Sequence, residues 1–171
     1  MRRLSRVAGV AVLLLSSLFG PGTTEAKETH YRASLTGAEE VPAVVTKARG
    51  HAMLFLNSDA TVLKFRLIVS NIENVTTAAI YVGAPGTTGP AVATLFGPAE
   101  PGGGKKNGVL AEGTITAANL IGPLQGRPLT DLVSEIQDGT LYVNVLTDDG
   151  LGEPNTREGD FQNGEIRGQF R

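Results

Sequence analysis

Five acidic side chains lie close together near the C-terminus. They are Asp148, Asp149, Glu153, Glu158 and Asp160, with Arg157 as the single basic residue among them. Carboxylate oxygens are the ligands that calcium prefers, but the spacing matches no EF-hand loop. Two interpretations therefore stay open, a solvated acidic loop or a calcium site. The candidate ligands of that site are Asp148, Asp149, Glu153 and Asp160.

Groups for covalent catalysis are scarce. The chain has no cysteine, its two histidines are His30 and His51, and it lacks a Gly-x-Ser-x-Gly motif. Nucleophilic hydrolysis needs a serine or cysteine beside a base that a third group orients. The glycine-rich stretches at 83–89 and 102–104 lack the Lys-Ser/Thr pair of a phosphate-binding loop and are typical of turns. We predict no catalytic residues, no enzymatic activity and no cofactor.

Alternating apolar residues predict the elements that carry these groups. Leu63, Phe65, Leu67 and Val69 alternate with Lys64 and Arg66, as in a half-buried antiparallel strand. Residues 51–57 form a second strand, and the turn residues at 57–60 join the two into a hairpin. Six further strands are predicted at 31–35, 77–82, 92–95, 109–115, 140–146 and 164–170.

One segment has helical spacing instead. Its apolar residues lie one turn apart: Leu129, Leu132, Val133 and Ile136. We expect Thr130 or Asp131 to cap the N-terminus and Gly139 to end the helix. With 22 glycines, 9 prolines and 5% aromatic residues, the 171-residue chain is predicted to be one all-β domain of about eight strands with one short helix.

Residues 1–26 have the composition of a signal peptide. Arg2, Arg3 and Arg6 precede an apolar run of about 13 residues, and Ala26 ends a plausible cleavage site. A run of that length is shorter than the roughly 20 residues of a spanning helix. We expect cleavage near Ala26, a mature domain at 27–171 in the periplasm or outside the cell, and no transmembrane segment in the mature chain.

The charge of the chain argues against nucleic-acid binding. The formal charge is −2, and removing residues 1–26 would take away three arginines and one glutamate, leaving about −4. Such a surface lacks the basic patch that a phosphate backbone requires. We expect the partner to be a protein or envelope component.

Four short motifs resemble the chordin-type domain, called the CHRD domain. They are LTGAEEVP at 35–42, GAPG at 83–86 with Gly89-Pro90, LYVNV at 141–145 and GEIRGQ at 164–169. The resemblance covers nearly the whole mature chain and implies an immunoglobulin-like antiparallel β-sandwich or barrel outside the cytoplasm. It implies no reaction. The family resemblance therefore favours a non-catalytic domain that acts by binding or structural interaction.

The resemblance also implies positions for a metal site. Family members commonly carry a His-Ile-His stretch before the GAPG turn and a histidine that ends the YVNV strand. The matching residues here are Ala79, Ile80 and Tyr81, then Leu146, and a slip of one residue would move the first two positions to Ile80 and Val82. Without histidines, a metalloenzyme related to copper/zinc superoxide dismutase is disfavoured. A small-ligand or calcium-binding protein is the stronger alternative.

Two further features of the motifs lead to predictions. Glu165 and Arg167 alternate with Ile166 on the last strand, so we expect an exposed cross-strand ion pair that protects a sheet edge. The connection at 148–163 is longer than the family pattern implies. Because loops carry function more readily than strands, we expect a protein-specific contact surface there.

Overall fold

Eight strands and one α-helix form in the segments where the spacing of apolar residues predicts them. The computed structural model describes residues 28–153 and 155–171. The strands are β1 Thr29–Thr36, β2 Arg49–Leu56, β3 Leu63–Glu73, β4 Val75–Val82, β5 Ala91–Phe96, β6 Lys105–Ile115, β7 Leu141–Thr147 and β8 Ile166–Gln169. The signal peptide expected at 1–26 lies outside the described residues.

All eight strands belong to one antiparallel sheet. Its order is β5-β4-β7-β8-β1-β2-β3-β6. The two edge strands, β5 and β6, approach each other, so the sheet curls into a nearly closed barrel. Of the two architectures that the sequence left open, the molecule therefore adopts the barrel. The last strand of the chain, β8, lies between β7 and β1 in the middle of the sheet.

The barrel interior is the hydrophobic core. In β3, Leu63, Phe65 and Leu67 are buried while Lys64 and Arg66 are exposed, which confirms the predicted alternation. Burying a leucine or phenylalanine side chain stabilises the fold by about 1.5–3 kcal/mol. Together with the other buried apolar side chains of the core, these residues support a domain that has no cysteine.

The predicted helix is present as α1, Leu129–Gln137, and packs its apolar side chains into the core. Its N-cap is Pro128, so the expected cap at Thr130 or Asp131 is wrong by two or three residues. Asp131 instead accepts a hydrogen bond of 2.6 Å from Arg127 Nε. Gly139 follows the helix with φ of 71°, a conformation that suits glycine. Within the described residues, no helix is long and apolar enough to cross a membrane.

Two connections lie over the outer face of the barrel. Residues 37–48, between β1 and β2, contact β7 and the start of β8 through Glu40 and Thr46. Residues 83–90, between β4 and β5, lie against the same face. The two connections shield the outer face of β7 and β8 from water. The polar groups between this face and the two connections form the candidate site.

Candidate functional site

A row of polar side chains lies buried on the outer face of β7 and β8. Tyr142 and Asn144 alternate with core valines and therefore point away from the barrel interior. In the register of the two strands, Asn144 pairs with Arg167 and Tyr142 pairs with Gln169. Asn144 and Arg167 are only 7% and 2% exposed. The sheet therefore presents charged and amide groups to a covered, poorly hydrated space.

Arg167, Tyr142 and Tyr81 form a stack across three strands. The guanidinium carbon of Arg167 lies 3.7 Å from the centre of the Tyr142 ring. That ring is stacked on Tyr81, with centroids 5.2 Å apart and planes 13° apart. A cation over an aromatic face is stabilised by about 2 kcal/mol when water is excluded. The stack thus compensates part of the cost of burying the Arg167 charge.

Three hydrogen bonds hold the turn at 83–90 against this stack. They run from Gln169 Nε2 to Gly83 O at 3.0 Å, from Arg167 Nη2 to Ala84 O at 3.3 Å, and from Gly89 N to Tyr142 Oη at 3.1 Å. The GAPG turn, the LYVNV strand and the GEIRGQ strand are far apart in the sequence, and these hydrogen bonds join them into one structural unit. The glycine turn supplies backbone atoms, and β7 and β8 supply the side chains that bind them.

The expected ion pair between Glu165 and Arg167 is wrong. Both residues are buried, and Glu165 instead accepts hydrogen bonds from Thr46 Oγ1 at 2.6 Å, Thr147 Oγ1 at 2.8 Å and Gly159 N at 3.0 Å. Burial raises the pKa of Glu165, and these three hydrogen bonds act in the opposite direction. The prediction assumed that the last strand in sequence is an edge strand, whereas β8 lies inside the sheet.

Glu40 is the most strongly perturbed acid of this region. It is 7% exposed, and its Oε2 accepts a hydrogen bond of 3.3 Å from Asn144 Nδ2. Burial raises the pKa of Glu40 from its usual value of 4.5 to about 8, although the Arg167 charge and the Asn144 hydrogen bond lower it. At neutral pH the carboxyl group is therefore mostly protonated. It can then donate one hydrogen bond and accept another.

Glu40 lines a cavity of about 370 Å³ between the 37–48 connection and the 148–163 connection. Glu40 Oε1 and Asn144 Oδ1 are buried and have no hydrogen-bond partner among the described residues. Buried polar atoms are nearly always paired, so these two mark a place where a partner is missing. The other lining residues are Val41, Pro42, Val44, Glu153, Asn155, Thr156, Phe161, Gln162, Asn163 and Gly164.

The positions matched to the family's histidines lie on the same outer face. Ile80 packs in the core, so Ala79 and Tyr81 on either side of it face outward, which excludes the register slipped by one residue. Leu146 pairs with Thr77 in the same sheet region. Burial, and then the neighbouring Tyr142 and Glu40, raise the pKa of Tyr81. Its phenol is therefore neutral, which makes Tyr81 a poor metal ligand.

The structure brings together three of the four calcium candidates. Carboxylate oxygens of Asp148, Asp149 and Asp160 lie within 4.8 Å of one another. Glu153 is not part of this group, since its carboxylate accepts hydrogen bonds from Asn155 and it lines the cavity instead. The 148–163 connection therefore has two sides, one acidic and one facing the cavity.

The structure also places a serine beside a histidine. Ser34 and His51 are opposite each other on β1 and β2, with Oγ and Nδ1 3.4 Å apart. Both residues are exposed, and no carboxylate of the described chain lies within 4.0 Å of the His51 ring. A triad needs a third group that orients the histidine, so this pair lacks the arrangement that makes a serine nucleophilic.

Sequence reasoning missed Glu40 and Asn144. Both lie inside the family motifs, yet neither has a spacing that marks it as a site, because their meeting depends on strand pairing and on a loop folding over the sheet. One signal was present. A polar residue within the otherwise apolar LYVNV strand indicates a buried hydrogen-bonding group.

Comparison with known proteins identifies a family for this chain. A search of curated proteins finds no match. The family model described as the CHRD domain matches residues 31–170, from the third residue of β1 to the residue after β8. All four motifs and the covered polar face fall within this range. The chain therefore belongs to the CHRD domain family.

Proposed function

We propose that this protein is a non-catalytic binding domain of the extracytoplasmic space, and that its ligand occupies the cavity beside Glu40. One observation carries the proposal. Glu40 Oε1 is a buried oxygen without a partner, and Glu40 lines a cavity of about 370 Å³. Ligand sites have volumes of roughly 300–1,000 Å³ and a few convergent polar groups. A molecule in the cavity that donates a hydrogen bond would satisfy Glu40 Oε1.

The lining of the cavity favours a small neutral ligand. Because the pKa of Glu40 is about 8, its carboxyl group carries little charge at neutral pH and offers a donor and an acceptor. Val41, Pro42 and Phe161 add apolar surface, the exposed Glu153 adds one carboxylate, and uncharged polar side chains complete the wall. A molecule with hydroxyl or amide groups beside an apolar patch, such as a sugar or a short peptide, complements this lining.

Binding without catalysis is supported by where the reactive groups lie. The Ser34–His51 pair is exposed and does not line the cavity. Arg167 and Gln169 are held by hydrogen bonds to the turn at 83–90, and Glu40 is held by Asn144. Polar groups fixed in this way suit the recognition of a ligand.

Export is supported by the charged and apolar pattern of residues 1–26. N-terminal sequencing of the secreted protein should begin at Lys27, and retention of residues 1–26 would refute export by cleavage.

A fragment screen followed by NMR tests the binding site. Neutral sugars, amides and dipeptides are titrated into the ¹⁵N-labelled mature domain, and the amide signals of Glu40, Val41, Val44 and residues 161–164 should shift together. Thr156→Trp, at the cavity rim, should weaken binding of the best fragment at least tenfold, whereas Thr130→Trp, at an exposed position of helix α1, should not. The proposal fails if no fragment shifts these amide signals.

Mass spectrometry of the bound fragment tests the non-catalytic assignment. The fragment should be recovered unchanged, and a reaction product would refute the assignment.

A further inference from the structure

The carboxylate of Asp160 is buried without a partner. Asp160 is 1% exposed, and neither of its carboxylate oxygens has a hydrogen-bond partner in the described part of the chain. Placing a charged group in the interior without a partner is strongly unfavourable. The Asp160 carboxylate is therefore suited to receive a cation or a hydrogen-bond donor.

Two more carboxylates face the same point. Oxygens of Asp148, Asp149 and Asp160 lie within 4.8 Å of one another. Calcium binds oxygen at about 2.3–2.6 Å, so two ligands on opposite sides of one ion are about 4.6–5.2 Å apart. Oxygens at these separations can surround one calcium ion with little movement. We propose that Asp148, Asp149 and Asp160 bind one calcium ion.

Hydrogen bonds of Asn74 hold the backbone at Asp148 and next to Asp160. The Asn74 carbonyl accepts a hydrogen bond of 2.9 Å from Asp148 N, and its side-chain amide donates one of 3.1 Å to Gly159 O, beside Asp160. Its Oδ1 also accepts from Gly104 N at 2.9 Å. Asn74 thus ties three connections together. The ligands are held by the fold, so binding requires little ordering of the chain.

The charge balance favours a hard divalent cation. Arg157 approaches Asp149 Oδ2 at 3.4 Å, but its side chain is 63% exposed, so it compensates little of the charge. Within the described residues, no cationic side chain lies within 4.0 Å of Asp148 or Asp160. Oxygen-only ligands select calcium or magnesium over zinc or copper. Magnesium requires a near-ideal octahedron and gives up its water reluctantly, whereas calcium accepts a flexible set of carboxylate ligands, so calcium is the cation that we assign.

The ion would act on the wall of the cavity as well as on stability. Asp160 directly precedes Phe161, which lines the cavity, and Phe161 N donates a hydrogen bond of 2.9 Å to Thr147 Oγ1. An ion that joins Asp160 to Asp148 therefore joins the end of β7 to the wall-forming segment. We expect calcium to slow amide hydrogen exchange across 149–163 and to leave the turn at 83–90 unchanged.

Calorimetry and thermal unfolding of the mature domain test the site directly. Calcium chloride is titrated into protein stripped with EDTA, with sodium chloride matched for ionic strength. Calcium modules outside cells have dissociation constants of about 10⁻⁴–10⁻³ M. At 10 mM calcium the Tm should therefore rise by about 3–10 °C. Flat heats and an unchanged Tm would overturn the proposal, and an equal rise with magnesium would overturn the assignment to calcium.

Isosteric variants locate the ion. Asp160→Asn should raise the calcium dissociation constant at least tenfold, and Asp148→Asn should do the same if the first variant does not fold. The matched control is Glu153→Gln, which lies in the same connection but outside the cluster and should bind calcium like the parent. Loss of binding in the control with retention in the aspartate variants would refute the assignment of ligands.

Discussion

The pKa of Glu40 predicts how the stability of the domain depends on pH. Between the usual pKa of 4.5 and the folded value of about 8, the folded chain holds a proton on Glu40 that the unfolded chain has released. Unfolding then releases a proton, so the free energy of unfolding falls as pH rises through this window. The stabilisation is fully present below pH 4.5 and is lost once the pH exceeds the folded pKa of about 8. From pH 5.5 to 7.5 it amounts to about 2.5 kcal/mol, since a tenfold change is about 1.4 kcal/mol.

Glu40→Gln isolates this effect, because glutamine has the same shape and does not titrate. Urea unfolding at pH 5.5, 6.5 and 7.5, followed by circular dichroism, gives the free energy of unfolding of both proteins. The parent should lose about 2.5 kcal/mol relative to the variant across this range. The comparison uses the change with pH, so it holds even if the variant is less stable at every pH.

The neighbouring Glu39 provides the control, since it is exposed and Glu40 is buried. Glu39→Gln should follow the parent at all three pH values. If the parent and Glu40→Gln instead show parallel stabilities, within about 0.5 kcal/mol, then Glu40 titrates normally in the fold. The inference that Glu40 is a neutral hydrogen-bonding group in the cavity would then be wrong.

Three other substitutions test the covered polar face. Gly164→Ala should destabilise the domain by about 2–4 kcal/mol in urea unfolding, because φ is 132° and a Cβ would lie 2.4 Å from the Asn144 amide. Glu165→Gln should cost about 2–3 kcal/mol by the same measurement, because one amide oxygen cannot replace a carboxylate that accepts three hydrogen bonds. Arg167→Met should raise the pKa of Glu40 further, measured by carboxyl ¹³C NMR, because the Arg167 charge lowers it.

A control variant or a contrary result could contradict each of these three predictions. Gly126→Ala, at a φ of 73° with open space around it, should cost only about 1–2 kcal/mol, and an equal cost would remove the steric explanation for Gly164. Glu158→Gln, at an exposed glutamate, should change stability by less than about 0.5 kcal/mol. A Glu40 pKa that stays constant or falls in Arg167→Met would show that the guanidinium does not act on the carboxyl group.

The local pattern of apolar residues determined the elements of this fold. Alternation such as that of Leu63, Phe65 and Leu67 depends only on residues next to each other in the chain, so strand and helix positions were predictable. The four motifs likewise identified the family. The acidic residues left a solvated loop and a calcium site as alternatives, and the sequence could not separate Glu153 from the three aspartates that meet.

Tertiary structure alone decided the character of the site. Glu165 and Arg167 look like exposed charges in the sequence, and they are buried because β8 pairs on both sides and two connections cover it. Glu40 meets Asn144 across 104 positions of sequence, and Asp148 meets Asp160 through hydrogen bonds to Asn74. The pKa of an acid and the charge balance of a cluster depend on which distant groups share its space, and only long-range strand pairing determines that.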